Sequence, residues 1–510
     1  AAYPAEAIQA GWEVVLRNQF HDILPGSSIK EVYDDSKEEY EQTLAQSDAL
    51  ISQSLQAIAG RVSAGAGSGP GRLVVFNPNG FGADGHVVFD APSGITRPVL
   101  EAGGAHFVCQ LLADGRWLAI VPEIPSKGYR SFQLEEETRQ TAPQSPGEDL
   151  VLSPGHLANA FLDLRLDEKG QFISIYDKRA GRELLPAGTS ANVIMSYEDK
   201  PHNYDAWDLN QYYREKSWEI DDVQSIRVTE SGPVRGCLQI RRKYLDSTIL
   251  QSITIWRDHA RIDIRNEIDW HEKQVFLKAL FPVDIHSSQA TFDIQYGNVQ
   301  RATHSNTSWD VARFEVCMHK WMDVSEEDYG FSLLNDSKYG CSVQAGVIGL
   351  SMLKSAVYPN PEADKEKHDF VFSLYPHTGG WRQAGTVQQA YLLNNPLMAV
   401  ICGATASESG KQALARTCSL VQADQDNIVI EAVKQAEDSQ DLIIRFYECY
   451  NRRTPVRLTF ARPIGHVSEC DLMEQDLAVL ETVAADGASR NAIDLEIRPY
   501  EIRTIKVRFS

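Results

Sequence analysis

With 510 residues, 43% hydrophobic and 23% charged, the chain has the composition of a soluble globular protein and length enough for two to four domains. Its net charge of −21 excludes nucleic acid as a partner, because a duplex-binding surface neutralises phosphates with clustered Lys and Arg. No apolar run is long enough to span a bilayer, which excludes a membrane-spanning role by helices. Ala1-Ala2-Tyr3-Pro4 has neither the basic flank nor the apolar core of a signal peptide, so a fragment or processed chain is expected. The eight cysteines show no CxxC and no short ladder, which suits reduced thiols in a cytoplasmic protein.

The first sixty residues carry helical periodicity. Ala5 to Phe20 is expected to form one helix with Ile8, Trp12, Val15 and Leu16 facing inward, and a second follows from Ser28. Its apolar stripe runs through Ile29, Val32, Tyr33, Tyr40, Leu44, Ile51, Leu55 and Ile58, with carboxylates on the other face. Between them His21-Asp22-Ile23-Leu24-Pro25-Gly26-Ser27 stops the first helix and offers Ser27 as cap for the next. His21 and Asp22 therefore stand at a turn. Residues 63–71 read as a Gly/Ser linker. Beyond it the alternation is that of strands: Arg72–Asn77, Leu238–Tyr244, Ser252–Trp256 turning into Arg261–Trp270, Leu442–Tyr447 and Thr504–Phe509. The fold class expected is mainly β, a short helical bundle segment followed by antiparallel β-sandwiches. Boundaries near 62–71, 140–150 and 422–427 give a helical segment at 1–62, a small β domain at 72–145, a large sandwich at 150–422 and a terminal small sandwich at 427–510.

A sandwich has no inherent chemistry, so its polar loops carry the candidates. His21 beside Asp22 can be a metal ligand with a neighbouring substrate-binding carboxylate, or simply a His favoured at a helix C-terminus by the dipole. Tyr197 to Asp208 places Tyr204, Asp205, Trp207 and Asp208 together. Aromatic faces pack on sugar C–H surfaces and carboxylates accept from hydroxyls, while the plainer reading packs Trp207 into the sandwich edge. Arg301 to Glu326 is either a buried hydrogen-bonded network or a cleft wall, and Asp269 to Glu272 and Pro376-His377 share that ambiguity. No HExxH, P-loop, GxSxG or GxGxxG fingerprint occurs.

Asn18-Gln19-Phe20-His21-Asp22-Ile23-Leu24-Pro25-Gly26-Ser27-Ser28-Ile29 closely resembles the helical-domain motif of glycoside hydrolase family 38 α-mannosidases. Tyr176-Asp177-Lys178, Asp205-Ala206-Trp207-Asp208, Asp269 to Glu272, Arg301 to Glu315 and Pro376-His377 look like the same family, as do Val433 to Tyr447 and Pro499–Val507. The Asp-Ala-Trp-Asp loop points to the branch of bacterial and cytosolic-type enzymes. The resemblance covers essentially the whole chain. It implies that His21 is one of four ligands of a zinc, or another divalent ion, and that Asp22 contacts bound mannose, with Asp205, Trp207 and Asp208 as further substrate-binding residues. Family members open with an α/β domain bearing a His-x-Asp zinc pair and an Asp nucleophile. This chain has no His followed two positions later by Asp, so no catalytic carboxylate is assigned to it and the N-terminal catalytic domain is an expected partner.

The implied reaction of the whole enzyme is retaining hydrolysis of terminal α-mannosidic bonds in a mannose-containing oligosaccharide. One carboxylate attacks the anomeric carbon and another acid protonates the leaving oxygen. This chain alone is then expected to be inactive. The alternatives are a non-catalytic carbohydrate-binding or scaffold module and another sandwich-bearing carbohydrate enzyme such as a lyase or phosphorylase. Linkage preference is open, and so is a homo-oligomeric state.

Overall fold

The computed structural model describes residues 3–63, 71–138, 150–403, 413–485 and 489–510. Most of the 63–71 linker and of the boundary expected at 140–150 lies outside the described residues. The chain is mainly β, and every sheet is built from antiparallel pairs. It divides into two compact units, one of Ala1–Ser52, Gly147–Asp293 and Val299–Ala390, the other of Gln53–Pro146, Ile294–Asn298 and Tyr391–Ser510.

The first unit begins with helix α1 (Ala5–Asn18), which has Glu6 in its first turn and Arg17 in its last, each complementing the helix dipole. Helix α2 (Lys30–Ala59) follows. Two expectations about this pair are corrected. Trp12 and Leu16 are exposed rather than inward-facing, as are Phe20, Ile29, Leu44, Ile51 and Ile58; an apolar stripe tells that a helix face is suited to cover, not what covers it. Ser27 does not cap α2 either. It is buried, and its hydroxyl donates to the carbonyl of Asp22 (3.4 Å) while the helix starts only at Lys30.

The rest of this unit is a sandwich with a large shared core. Its larger sheet has nine strands, centred on Arg235–Tyr244, Ser247–Trp256, Ile262–Asp269 and Lys367–Thr378. Ile249 pairs with Ile268, Ile253 with Ile264 and Ile255 with Ile262, so the period-two isoleucines all point to one face. That face buries against Ile194, Leu277, Phe281 and Leu350 of a six-stranded sheet. The hairpin expected at Asp258-His259 is present. Helix is not confined to the N-terminal part, however: Ser308–Ala312 and Thr386–Asn394 are short helices, the first closed by a Thr307/Asp310 capping box.

One feature of the six-stranded sheet positions the site. Val193–Glu198 and Val347–Lys354 both pair antiparallel with Val275–Pro282, so they run parallel to each other. Tyr197 and Lys354 are both partnered by Phe276. The two strands therefore end at the same edge, and the loops that follow them, 199–216 and 355–366, leave side by side.

The second unit has two large cores among its buried clusters. Leu73, Val75, Val87, Leu100, Val121 and Phe132 build one within the sheets that contain Gly71–Asn77, Ala83–Phe89 and Gly128–Glu136. Ile428, Ile444, Phe446, Leu458, Ile493 and Ile505 build the other between a four-stranded and a five-stranded sheet. All eight cysteines are free thiols, and among the described residues no helix is long and apolar enough to cross a membrane.

Candidate functional site

Helix α1 stops at Asn18, whose buried amide donates to Glu39 of α2 (2.7 Å) and to the carbonyl of Val14 (3.1 Å). A short run of turns follows, closed by Gly26 in the left-handed region (φ +77°), which a side chain would strain. Tyr33 laces this turn to α2. Its hydroxyl accepts from the Ser28 amide (2.9 Å) and lies within donating distance of the carbonyls of Asp22 (3.3 Å) and Ile23 (3.2 Å). Burial raises the Tyr33 pKa, so the hydroxyl keeps its proton. The side chains of His21 and Asp22 take no part in these bonds, and the His21 ring lies against Phe20 with centroids 4.3 Å apart. His21 is 76% exposed, with Nε2 3.3 Å from Asp22 Oδ2.

Two loops of the six-stranded sheet meet this turn. Asp22, Ser27, Ser28 and Ile29 line a cleft of about 350 Å3 together with Tyr204 to Trp207 and Tyr358-Pro359. Tyr204, Trp207 and Tyr358 are exposed, an arrangement of aromatic faces beside a carboxylate. The structure therefore brings Asp22, Asp205 and Trp207 to one cleft. Neither His21 nor Asp208 is among the lining residues; Asp208 is exposed just after the 205–207 turn, its amide bonded to the Tyr204 carbonyl.

Asp205 and Lys354 stitch the two loops together. Asp205 Oδ2 accepts from the amides of Val357 (2.6 Å) and Tyr358 (3.2 Å), and Lys354 Nζ donates to the Asp205 carbonyl. Oδ1 of Asp205 is buried without a hydrogen-bond partner. Lys354 Nζ also lies 2.8 Å from Oδ2 of Asp199, which is 1% exposed. Burial raises the Asp199 pKa against the pull of the Lys354 ammonium. So Asp205 holds the cleft wall in shape through one oxygen, and the second faces no protein donor.

Several residues of the other polar clusters are tied into internal networks. Within Arg301 to Glu326, Glu315 accepts from Tyr213 (2.6 Å), Lys278 and Ser351, Asp323 is buried against His377 (2.8 Å), and Glu326 pairs with Arg182 (2.7 Å). Trp270 is fully buried and stacks on Tyr244, and Glu272 accepts from Ser247 (2.9 Å) across the hairpin. Lys354 and Tyr358-Pro359 are the site residues that sequence reasoning passed over, while Asp199 stands inside the Tyr197 to Asp208 cluster. The available signal was Val357-Tyr358-Pro359-Asn360-Pro361, a loop composition carrying a large aromatic residue.

A structural zinc takes four ligands and a catalytic one three from protein. Among the described residues His21 belongs to no group of three metal-ligating side chains. An exposed imidazole with a carboxylate beside it fits a zinc ion as one donor of a set, not as a closed site.

Comparison with known proteins gives the context. Residues 1–58 match the Alpha mannosidase middle domain, residues 157–362 the Glycosyl hydrolases family 38 C-terminal domain, and residues 427–505 the Glycosyl hydrolases family 38 C-terminal beta sandwich domain. Alpha-mannosidase 2C1 of Homo sapiens is 32% identical over 99% of this chain and 46% of its own length. Alpha-mannosidase G of Dictyostelium discoideum is 29% identical over 97% of this chain and 47% of its own. The chain thus spans less than half the length of these curated relatives. The same fold occurs in the crystal structure of an alpha-mannosidase from Enterococcus faecalis V583, with a TM-score of 0.78 at 18% identity over 99% of this chain and 64% of that one.

Proposed function

The chain belongs to glycosyl hydrolase family 38, of which it carries the C-terminal domains, and from that premise we propose that it forms one wall of the mannose site of a zinc-dependent retaining α-mannosidase. The observation that carries the reading is the cleft itself, where the turn between α1 and α2 and two sheet loops far apart in sequence place Asp22, Asp205 and three exposed aromatic rings around one sugar-sized space. In this reading His21 supplies one zinc ligand. Bound zinc would hold sugar hydroxyls and favour the oxocarbenium-like transition state. Asp22 accepts hydrogen bonds from ring hydroxyls, charge-assisted contacts that select their stereochemistry. Trp207, Tyr204 and Tyr358 offer faces to the sugar C–H surface and exclude water from it.

Glycosyl transfer to water needs two carboxyl groups flanking the anomeric carbon. In this reading Asp22 binds hydroxyls and Asp205 is tied to the 357–358 amides, and the resemblance to family 38 implies that the nucleophile and the acid/base belong to its N-terminal catalytic domain. The exposed Trp12, Leu16 and Phe20 on and just beyond α1 support a covering segment there. A cytoplasmic location is part of the proposal, supported by eight free thiols.

The test is hydrolysis of an aryl α-mannoside by the full-length protein that contains this chain. We expect activity that a strong chelator removes and a divalent ion restores. Asp22→Asn should lower kcat and kcat/KM together, because its contact tightens in the transition state. A metal-loaded protein that ignores α-mannosides and cleaves another sugar sinks the mannosidase reading.

A further inference from the structure

The face of the six-stranded sheet turned away from the core carries a buried charge. In Val275–Pro282, Leu277, Ala279 and Phe281 enter the core, so Phe276 and Lys278 stand on the other side. Lys278 is 1% exposed, and its Nζ reaches Glu315 and the hydroxyl of Ser342 (2.9 Å). A glycine makes the space for it: a Cβ on Gly349 would come within 2.8 Å of Lys278 Cε and 2.9 Å of Ser342 Oγ. Replacing a buried ion pair by apolar residues of like volume is often neutral or stabilising. Stability alone therefore does not account for this pair, and the groups it fixes in place are the better clue.

The strand order of the sheet is Ser217–Glu219, Val193–Glu198, Val275–Pro282, Val347–Lys354, Gly340–Gln344 and Val316–Cys317. Tyr213–Glu215 leads into the first edge strand, and Glu315 into the last. The two meet across the face. Tyr213 Oη donates to Glu315 Oε1 (2.6 Å), and Ser351 Oγ to Oε2 (3.1 Å). Burial and the neighbouring carboxylate both push the Tyr213 pKa up, so the hydroxyl stays a donor. The Tyr213 ring stands edge-on to Tyr197 and Phe276, with centroids 4.9 and 5.2 Å away, and Leu209 packs on the same cluster. Arg214 adds a second tie, to Gln344 and to the carbonyl of Phe314 (3.3 Å). Tyr213 follows Trp207 in the loop whose 204–207 turn walls the cleft. That turn closes through the Trp207 and Asp208 amides, both donating to the Tyr204 carbonyl at 2.8 Å. Lys354 and the 357–358 amides hold Asp205, while the chain that carries the exposed Trp207 ring runs on to the Tyr213 anchor.

We propose that Glu315 is a positioning residue for the cleft: through Tyr213 it fixes the second half of the 199–216 loop on the sheet, and with it the Trp207 face. The charge of Lys278 sets where the Glu315 carboxylate sits, and so where Tyr213 docks. The proposal rests on the reading that this cleft binds mannose, and it adds a residue outside the cleft lining on which sugar affinity depends.

The test uses the full-length protein, an aryl α-mannoside and two variants. Tyr213→Phe keeps the ring packing and removes only the hydroxyl; Glu315→Gln removes the charge. Ile253→Val, in the core of the same sandwich, supplies a loss of stability that leaves the anchor intact. Both anchor variants should raise KM about tenfold, the loss of one good contact. Their kcat should hold, because a ring packed on the sugar serves ground and transition states alike. Backbone hydrogen exchange of 204–213, read by mass spectrometry, should quicken about tenfold in both and match the wild type in Ile253→Val. Unchanged exchange in Tyr213→Phe, a fall in its kcat at steady KM, or an equal rise of KM in Ile253→Val overturns the anchor. Should the wild type neither bind nor cleave α-mannosides while exchange of 204–213 still quickens in Tyr213→Phe, the anchor stands and the mannosidase reading alone falls.

Discussion

Asp263 shows how a buried charge is kept in the large sandwich. Trp256 Nε1 and Arg261 Nη2 donate to Oδ2 (2.7 and 3.1 Å), and Arg261 Nε and Ser373 Oγ to Oδ1 (2.8 and 2.6 Å). Burial pushes its pKa up, but the Arg261 guanidinium and these hydrogen bonds win and hold it at about 2. A folded pKa below the unfolded value of ~3.9 means the unfolded chain binds more protons in that interval. The contribution to stability is therefore complete above about pH 4, and is lost as pH falls from there to about pH 2, with a magnitude of about 2 kcal/mol. Asp263→Asn should remove it at neutral pH and flatten the acid limb of the stability curve. A denaturant series between pH 2 and pH 7 reads both, and an unaltered acid limb in the variant would show that other carboxylates govern it. At this scale the sequence was partly legible. His21, Asp22 and Trp207 stand out because a turn between helices and a loop rich in aromatics and carboxylates are local signals. The part played by Asp205 was not, because its amide donors belong to Val357 and Tyr358 and nothing local announces them.

The element that makes the cleft is the pair of loops at one edge of the six-stranded sheet, and Lys354 joins them. Asp199 is buried and has this ammonium at 2.8 Å. Lys354→Met leaves a buried carboxylate without its cation, which costs on the order of 3 kcal/mol, and frees the Asp205 carbonyl. We expect a lower denaturation midpoint and a higher KM for mannosides with kcat less affected, the deficit in stability shrinking as pH falls and Asp199 takes a proton. Adding Asp199→Asn to Lys354→Met should recover much of the stability, since the unpaired charge is gone. Equal stability of the two variants at neutral pH would contradict the clamp. Strands were legible because alternation is local: Ile253, Ile255, Ile262 and Ile264 mark their own face and pair in that register. Which strand ends come together was not, because it depends on both flanking strands pairing with Val275–Pro282, up to about ninety residues away. The helices went the other way. Both helices are present, but Trp12 and Leu16, expected to face inward, are exposed, as are Ile29, Leu44, Ile51 and Ile58 of the second stripe.

At the scale of the molecule, the chain carries family 38 domains along its length and spans less than half of its curated relatives, and among the described residues His21 belongs to no group of three metal-ligating side chains. These facts agree if the site is assembled from two parts of a longer protein, with His21 completing a coordination sphere whose other ligands lie elsewhere. Metal content is therefore the first consequence, ahead of rate. Zinc held by three or four ligands loses affinity steeply when one is removed. The most direct measurement is zinc per protein after dialysis, taken beside aryl α-mannoside turnover, for the full-length protein and for His21→Ala. The account predicts about one zinc in the wild type and a parallel fall of zinc and turnover in the variant, with far-UV circular dichroism unchanged. Full zinc and full turnover in His21→Ala would contradict it.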